Sequence, residues 1–143
     1  MRAENSPVAS SDLSRELRIA LWIVQIALAV VYGAAGYVKA TAGIDDLAAR
    51  VDFIDSIPPI AIRALGGAQL AAAFCLIVPG LVGRLRWLAP LTACGLLAAQ
   101  LLAIALNLAG GSLLAVPLNL ALAGASLFVI WGRWFARPIQ SGW

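Results

Sequence analysis

The side chains able to do chemistry in this sequence are few, and almost all are uncharged. Tyr32, Tyr37, Lys39, Gln69, Gln100, Asn107 and Asn119 are set into or beside long apolar runs, and Cys75 and Cys94 are the two thiols. Phenols and amides in such surroundings hydrogen-bond to one another or to the polar end of a small lipophilic molecule. Two thiols offer redox chemistry only if they ionise and can be reached. Histidine is absent, which removes the commonest metal ligand and the commonest general base at neutral pH. The chain has no Cys-x-x-Cys pair, phosphate-binding glycine loop, nucleophile elbow or basic run suited to nucleic acid. We therefore assign no catalytic residue, no metal ligand, no evident cofactor and no nucleic-acid partner from the sequence.

The elements that carry these residues follow from composition. Of 143 residues, 62% are hydrophobic and 12% charged, and the mean hydropathy is +0.93. So few charges cannot cover a water-soluble domain of this size, whereas a bilayer needs no polar cover. Soluble enzymes, disordered linkers and disulfide scaffolds are excluded. The charges bound the spans: Ile19 to Val38 and Ala64 to Gly83 are each twenty uncharged residues, and Trp87 to Gly132 is forty-six. Twenty residues of helix reach about 30 Å, the thickness of a hydrocarbon core, so the longest gap holds two spans. Its middle, Ala109-Gly110-Gly111-Ser112, supplies a flexible glycine pair and a hydroxyl able to cap the next helix. The expected fold is all-α: a four-transmembrane-helix bundle, with helices at about 19–38, 64–83, 87–108 and 113–132. Residues 1–18 form a polar leader, 19–134 the membrane domain and 135–143 a tail. Gly33-Ala34-Ala35 would also suit a signal peptidase, but the long leader and the apolar run continuing to Val38 favour a retained helix, in which Ala29, Gly33 and Gly36 suit close packing.

Arg2, Arg15, Arg18, Arg84, Arg86, Arg133 and Arg137 fall on one side of these spans, and Lys39, Arg50 and Arg63 on the other. The excess marks the cytoplasmic side, so both termini are expected there, in an inner (plasma) membrane. Trp22, Trp87, Trp131, Trp134 and Trp143 cluster on that same side, as an interfacial belt would. In the first outer loop Ile44, Leu47, Val51 and Ile54 recur with helical spacing, and Asp45, Asp46, Arg50, Asp52 and Asp55 lie elsewhere on the wheel. A short amphipathic surface helix at about 44–55 is expected, ended by Pro58-Pro59, with its acids forming a solvated face rather than a cation site.

Depth along the spans groups the polar residues. Tyr32, Tyr37, Lys39, Gln69, Gln100, Asn107 and Asn119 belong to the outer part of the membrane, and Gln25 and Ser126 lie deeper. Gln100 and Asn107 share a helix face, as do Asn119 and Ser126, with Arg133 continuing the second stripe inward. Two arrangements are open: an outward-facing polar pocket roofed by the surface helix, or amides that serve only to hold helices together. Cys75 and Cys94 fall at nearly equal depth and are expected to be buried, inert thiols.

Short motifs add a resemblance. Ala35-Gly36-Tyr37-Val38-Lys39 closes the first helix, Gly66-Gly67-Ala68-Gln69-Leu70 opens the second and Leu76-Ile77-Val78-Pro79-Gly80 closes it. Pro117-Leu118-Asn119-Leu120 and Trp131-Gly132-Arg133-Trp134 flank the fourth. In order and spacing these resemble the small membrane proteins called DoxX-like, over roughly residues 19–134. The resemblance implies a four-helix membrane protein, some of whose relatives are linked to quinone-coupled sulfur oxidation or to a membrane complex handling oxidative stress. The chain departs from that pattern at Gln69, where relatives often carry an acid, and near Asn107, where they often carry a histidine.

Three functions fit the sequence. One is a non-catalytic accessory or subunit of a larger membrane complex, possible partners being other membrane subunits or further copies of the chain. A second is a carrier of a lipophile such as a quinone in the outer pocket, and a third is a quinone-linked oxidoreductase subunit. The charge distribution predicts the outcome of single-cysteine labelling in intact cells. A cysteine placed beside Asp46 will react with a membrane-impermeant reagent and one beside Arg84 will not, and the reverse pattern would invert the topology.

Overall fold

The computed structural model describes residues 7–49, 57–82, 85, 87–111 and 113–136, with side chains from residue 15 to residue 135. Within them the chain is all-helical: α1 (Pro7–Thr41), α2 (Ile44–Ala48), α3 (Pro59–Val82), α4 (Leu88–Ala109) and α5 (Val116–Trp131), the last running into a π-helical turn, Gly132–Ala136. Four segments are long and apolar enough to cross a membrane: Arg15–Thr41, Pro59–Val82, Leu88–Ala109 and Val116–Phe135. Only 17% to 33% of each is buried in the bundle. Their remaining faces carry exposed Ile, Leu, Val and Phe, which only a hydrocarbon solvent accommodates over so large an area. The protein is a small multi-pass membrane protein.

Several boundaries differ from the charge-free stretches. α1 starts at Pro7, so its 35 residues extend about 50 Å, well beyond a hydrocarbon core. α3 starts at Pro59, whose fixed φ suits a first helical position, and this places Arg63 inside its opening turns. α5 starts at Val116, with Ala115 at its cap and Pro117 near its N-terminus. Ser112, the expected cap, lies outside the described residues, as do Arg2, Arg84, Arg86, Arg137 and Trp143. The surface helix is described over Ile44–Ala48, where Leu47 packs with Ile62, Ala42 and Ile57, joining it to the adjoining ends of α1 and α3. Its expected continuation, with Arg50, Val51, Asp52, Ile54 and Asp55, lies outside the described residues.

α1 packs chiefly on α3, and α4 chiefly on α5. The two pairs share one core of Leu28, Ala29, Tyr32, Leu76, Ala93, Leu96 and Val129. In lipid these contacts gain no hydrophobic driving force, so close backbone approach and polar bridges must select the packing. The α1–α3 crossing supplies the first. A Cβ on Gly36 would stand 2.7 Å from the Gly66 carbonyl oxygen, and one on Gly66 would stand 2.8 Å from the Gly36 carbonyl oxygen. Each glycine is thus required by the backbone of the other helix, which cannot give way as a side chain can.

Gly36→Ala and Gly66→Ala are expected to destabilise the bundle by about 1–3 kcal/mol each, as overpacking does. Gly67→Ala, at a position with open space, will be nearly neutral. Unfolding of the purified protein in detergent or bicelles measures the difference, and equal effects at Gly66 and Gly67 would refute the crossing.

Candidate functional site

Helix α1 places a polar side chain on one face every seven residues: Gln25, Tyr32 and Lys39. Seven residues are nearly two helical turns and about 10 Å of rise, so the three mark successive levels through the bundle. Each meets a different part of the structure.

At the upper level, the end nearest α2, Lys39 Nζ donates to Gln69 Oε1 of α3 at 3.0 Å. Arg63 Nη1 donates to the Lys39 carbonyl oxygen at 2.9 Å, and Thr41 Oγ1 to the Tyr37 carbonyl oxygen at 2.8 Å. The Arg63 bond satisfies a carbonyl that the end of α1 leaves without an intrahelical partner, and the Thr41 hydroxyl bonds back to the preceding turn. The Gly36–Gly66 contact, one turn away on both helices, brings Lys39 and Gln69 within reach.

At the middle level Gln100 Nε2 of α4 donates to the Tyr32 hydroxyl at 2.5 Å, with the Ser126 hydroxyl of α5 beside the phenol. Ser126 is fully buried and donates to the Leu122 carbonyl oxygen at 2.9 Å. Gln100 is itself buried, yet its Oε1 has no hydrogen-bond partner; it is the one such enclosed side-chain atom among the described residues. Asn107 lies buried on the same α4 face, about two turns further along.

At the lower level Gln25 is fully buried. Its Nε2 donates to the Leu76 carbonyl oxygen of α3 at 2.6 Å, and its Oε1 accepts from Arg133 Nε at 2.7 Å and from Arg133 Nη2. Pro79, three residues on, cannot donate to the Cys75 carbonyl, so the helical ladder is interrupted next to Leu76. Gly80 leaves room for the Trp22 ring, where a Cβ would stand 2.8 Å from Cη2. The Arg133 guanidinium carbon lies 5.4 Å from the centroid of that ring, a cation–π arrangement. One amide thus joins α1, α3 and the π-helical turn after α5.

The residues expected in an outer pocket are therefore divided. Tyr32 and Gln100 are in direct contact, Lys39 and Gln69 form a separate pair, Asn107 is buried, Asn119 is half-buried, and Tyr37 is exposed on the outside of α1. Depth alone pointed to the upper group and passed over Gln25 with Arg133 as a site. The heptad spacing of Gln25, Tyr32 and Lys39 was the signal available. Cys75 and Cys94 are free and half-buried. Cys75 lines an apolar groove with Phe74, Val78, Pro79, Val82, Leu85 and Leu88. Among the described residues no group of acids and thiols is placed to hold a metal ion. The arrangement offers hydrogen bonding and a buried cation.

Gln25→Leu leaves the Arg133 charge buried without its acceptor, and the expected loss is about 3 kcal/mol. Replacing both residues by leucine should recover most of that loss, because the apolar pair needs neither hydrogen bond nor desolvated charge. Denaturation of the two variants side by side measures the coupling; additive losses would show that the bridge does not join the helices energetically.

The description of the DoxX-like family matches residues 23–129, which include all four spans in whole or in large part. The chain belongs to the DoxX-like family. No curated protein and no solved structure matches it.

Proposed function

We propose that this DoxX-like chain is a non-catalytic membrane subunit, an accessory factor that works by lateral association within a larger membrane complex of redox or respiratory type. The observation that carries this reading is the use of its interior polarity. Gln25 with Arg133, and Lys39 with Gln69, bridge helices to one another. Such bridges make a small, internally braced body whose long helical faces are its remaining means of action. The arginine excess at the end bearing Trp22 and Arg133 supports an inner (plasma) membrane setting with both termini cytoplasmic. Mild solubilisation of native membranes followed by affinity purification tests the proposal. A second membrane protein recovered in constant stoichiometry is the expected result, and a chain that elutes alone would overturn it.

A second reading, a carrier of a lipophile of the quinone class, has one specific support: the unpartnered Gln100 Oε1 beside Tyr32. This atom accepts hydrogen bonds only, so a hydroxyl-bearing quinol satisfies it where a quinone carbonyl cannot. On this reading quinol raises the melting temperature of the native protein more than quinone does. Gln100→Leu abolishes the shift while changing ligand-free stability by about 1 kcal/mol, the scale of one membrane hydrogen bond. Asn119→Leu tests whether the pocket extends to α5. If neither form of the quinone moves the native melting curve, the carrier reading falls.

A further inference from the structure

The lower polar level has a property that the bridging role of Gln25 leaves unused. Arg133 lies in the membrane-crossing segment Val116–Phe135 and is 9% exposed, yet its charge has no counter-charge among the described residues. The sequence has no acidic residue after Asp55, so α3, α4 and α5 contribute none. On α1 the nearest acid toward this end is Glu16, which is exposed and nine residues from Gln25, about 13 Å along the helix. A guanidinium so placed is costly unless an anion reaches it.

The geometry leaves room for one. Of the five N–H groups on Arg133, two point to Gln25 Oε1 and Trp22 covers one face. No other acceptor among the described residues takes the remaining three. Arg133 is not wholly enclosed, since it keeps a 9% exposure. The depth is that of lipid headgroups, for Trp87, Trp131 and Trp134 are exposed at the same end of the bundle, where indole rings mark the membrane–water interface. Gln25 fixes the guanidinium orientation by holding both Nε and Nη2, which leaves the Nη1 side as a preformed donor edge. Such an edge suits the paired oxygens of a phosphate group.

We infer that Arg133, oriented by Gln25 and backed by Trp22, is an oxyanion site that takes the phosphate of an anionic phospholipid headgroup. The bound lipid supplies a counter-charge that no described residue supplies and seals the end of the bundle where α1, α3 and α5 meet.

Melting of the purified, delipidated protein in neutral detergent tests this, with phosphatidylglycerol, phosphatidylcholine or inorganic phosphate added. Phosphatidylglycerol should raise the melting temperature in a concentration-dependent manner, and phosphatidylcholine should do so much less. Inorganic phosphate shares the chemistry without the acyl chains; an equal shift with it would overturn the lipid as the occupant. Because an Arg133 variant alone can fail to fold, the comparison uses Gln25→Leu/Arg133→Leu, which removes the site and its holder together and should lose the phosphatidylglycerol shift. Arg15→Gln/Arg18→Gln removes two exposed charges toward the same end and should keep it. Retention of the shift in the first double variant, or an equal loss in the second, overturns the proposal in favour of diffuse surface charge. The native protein gives an independent reading: purified from membranes without delipidation, it should carry one anionic phospholipid per chain by mass spectrometry, and finding none would overturn the proposal.

Discussion

The fold depends on how helices that gain nothing by hiding from lipid are held in one rotation and one register. Between apolar faces of Leu, Ala and Val, many packings are close in energy, because hydrocarbon chains satisfy those faces as well as a neighbouring helix does. Gln25 removes the degeneracy. Its two amide atoms are fully buried, so rotating α1 away from Leu76 or Arg133 exposes an unpaired donor or acceptor to an apolar medium. The bonds themselves are of ordinary strength. The cost of leaving them unmade is what selects the structure.

The same logic explains why the glycine contact and the polar levels occur together. Gly36 and Gly66 bring the α1 and α3 backbones into contact, which sets the distance at which Lys39 and Gln69 bond. At the other end of the same interface, Gly80 admits Trp22, which stacks on Arg133. Close approach and polar pairing therefore reinforce each other at both ends of the α1–α3 contact. The α4–α5 pair joins through Tyr32, where Gln100 and Ser126 converge on one phenol.

How much of this was legible in the sequence follows from the range of each signal. The four spans were readable because charges interrupt apolar runs at intervals set by the bilayer, a constraint local to the chain. The faces were partly readable: Ser126 and Arg133, seven apart, do share an inward stripe. What periodicity cannot supply is the partner. Gln25 and Arg133 are 108 residues apart, and a helical wheel tells which way a residue faces but not which helix it meets. Helix starts were misjudged for a related reason. Charge was taken as the limit of a helix, but Arg63 sits inside α3 because its side chain extends to the Lys39 carbonyl and its backbone stays in register.

Among the described residues, two places where pairing is incomplete differ in kind, and that difference separates the roles open to this small bundle. Gln100 Oε1 is an enclosed neutral acceptor. Leaving it unpaired costs on the order of 1–3 kcal/mol, which a stable bundle can tolerate or a single water can relieve. Arg133 carries a full charge and lies two residues before the end of the segment Val116–Phe135, and a charge near the end of a span can be met by anions of the interface rather than by the protein. An interior amide therefore reports on what enters the bundle from the hydrocarbon side, and a terminal guanidinium on what the interface itself provides. The unpaired neutral acceptor stands at the middle level and the guanidinium toward the end of its span, the order that the dielectric profile of a membrane favours.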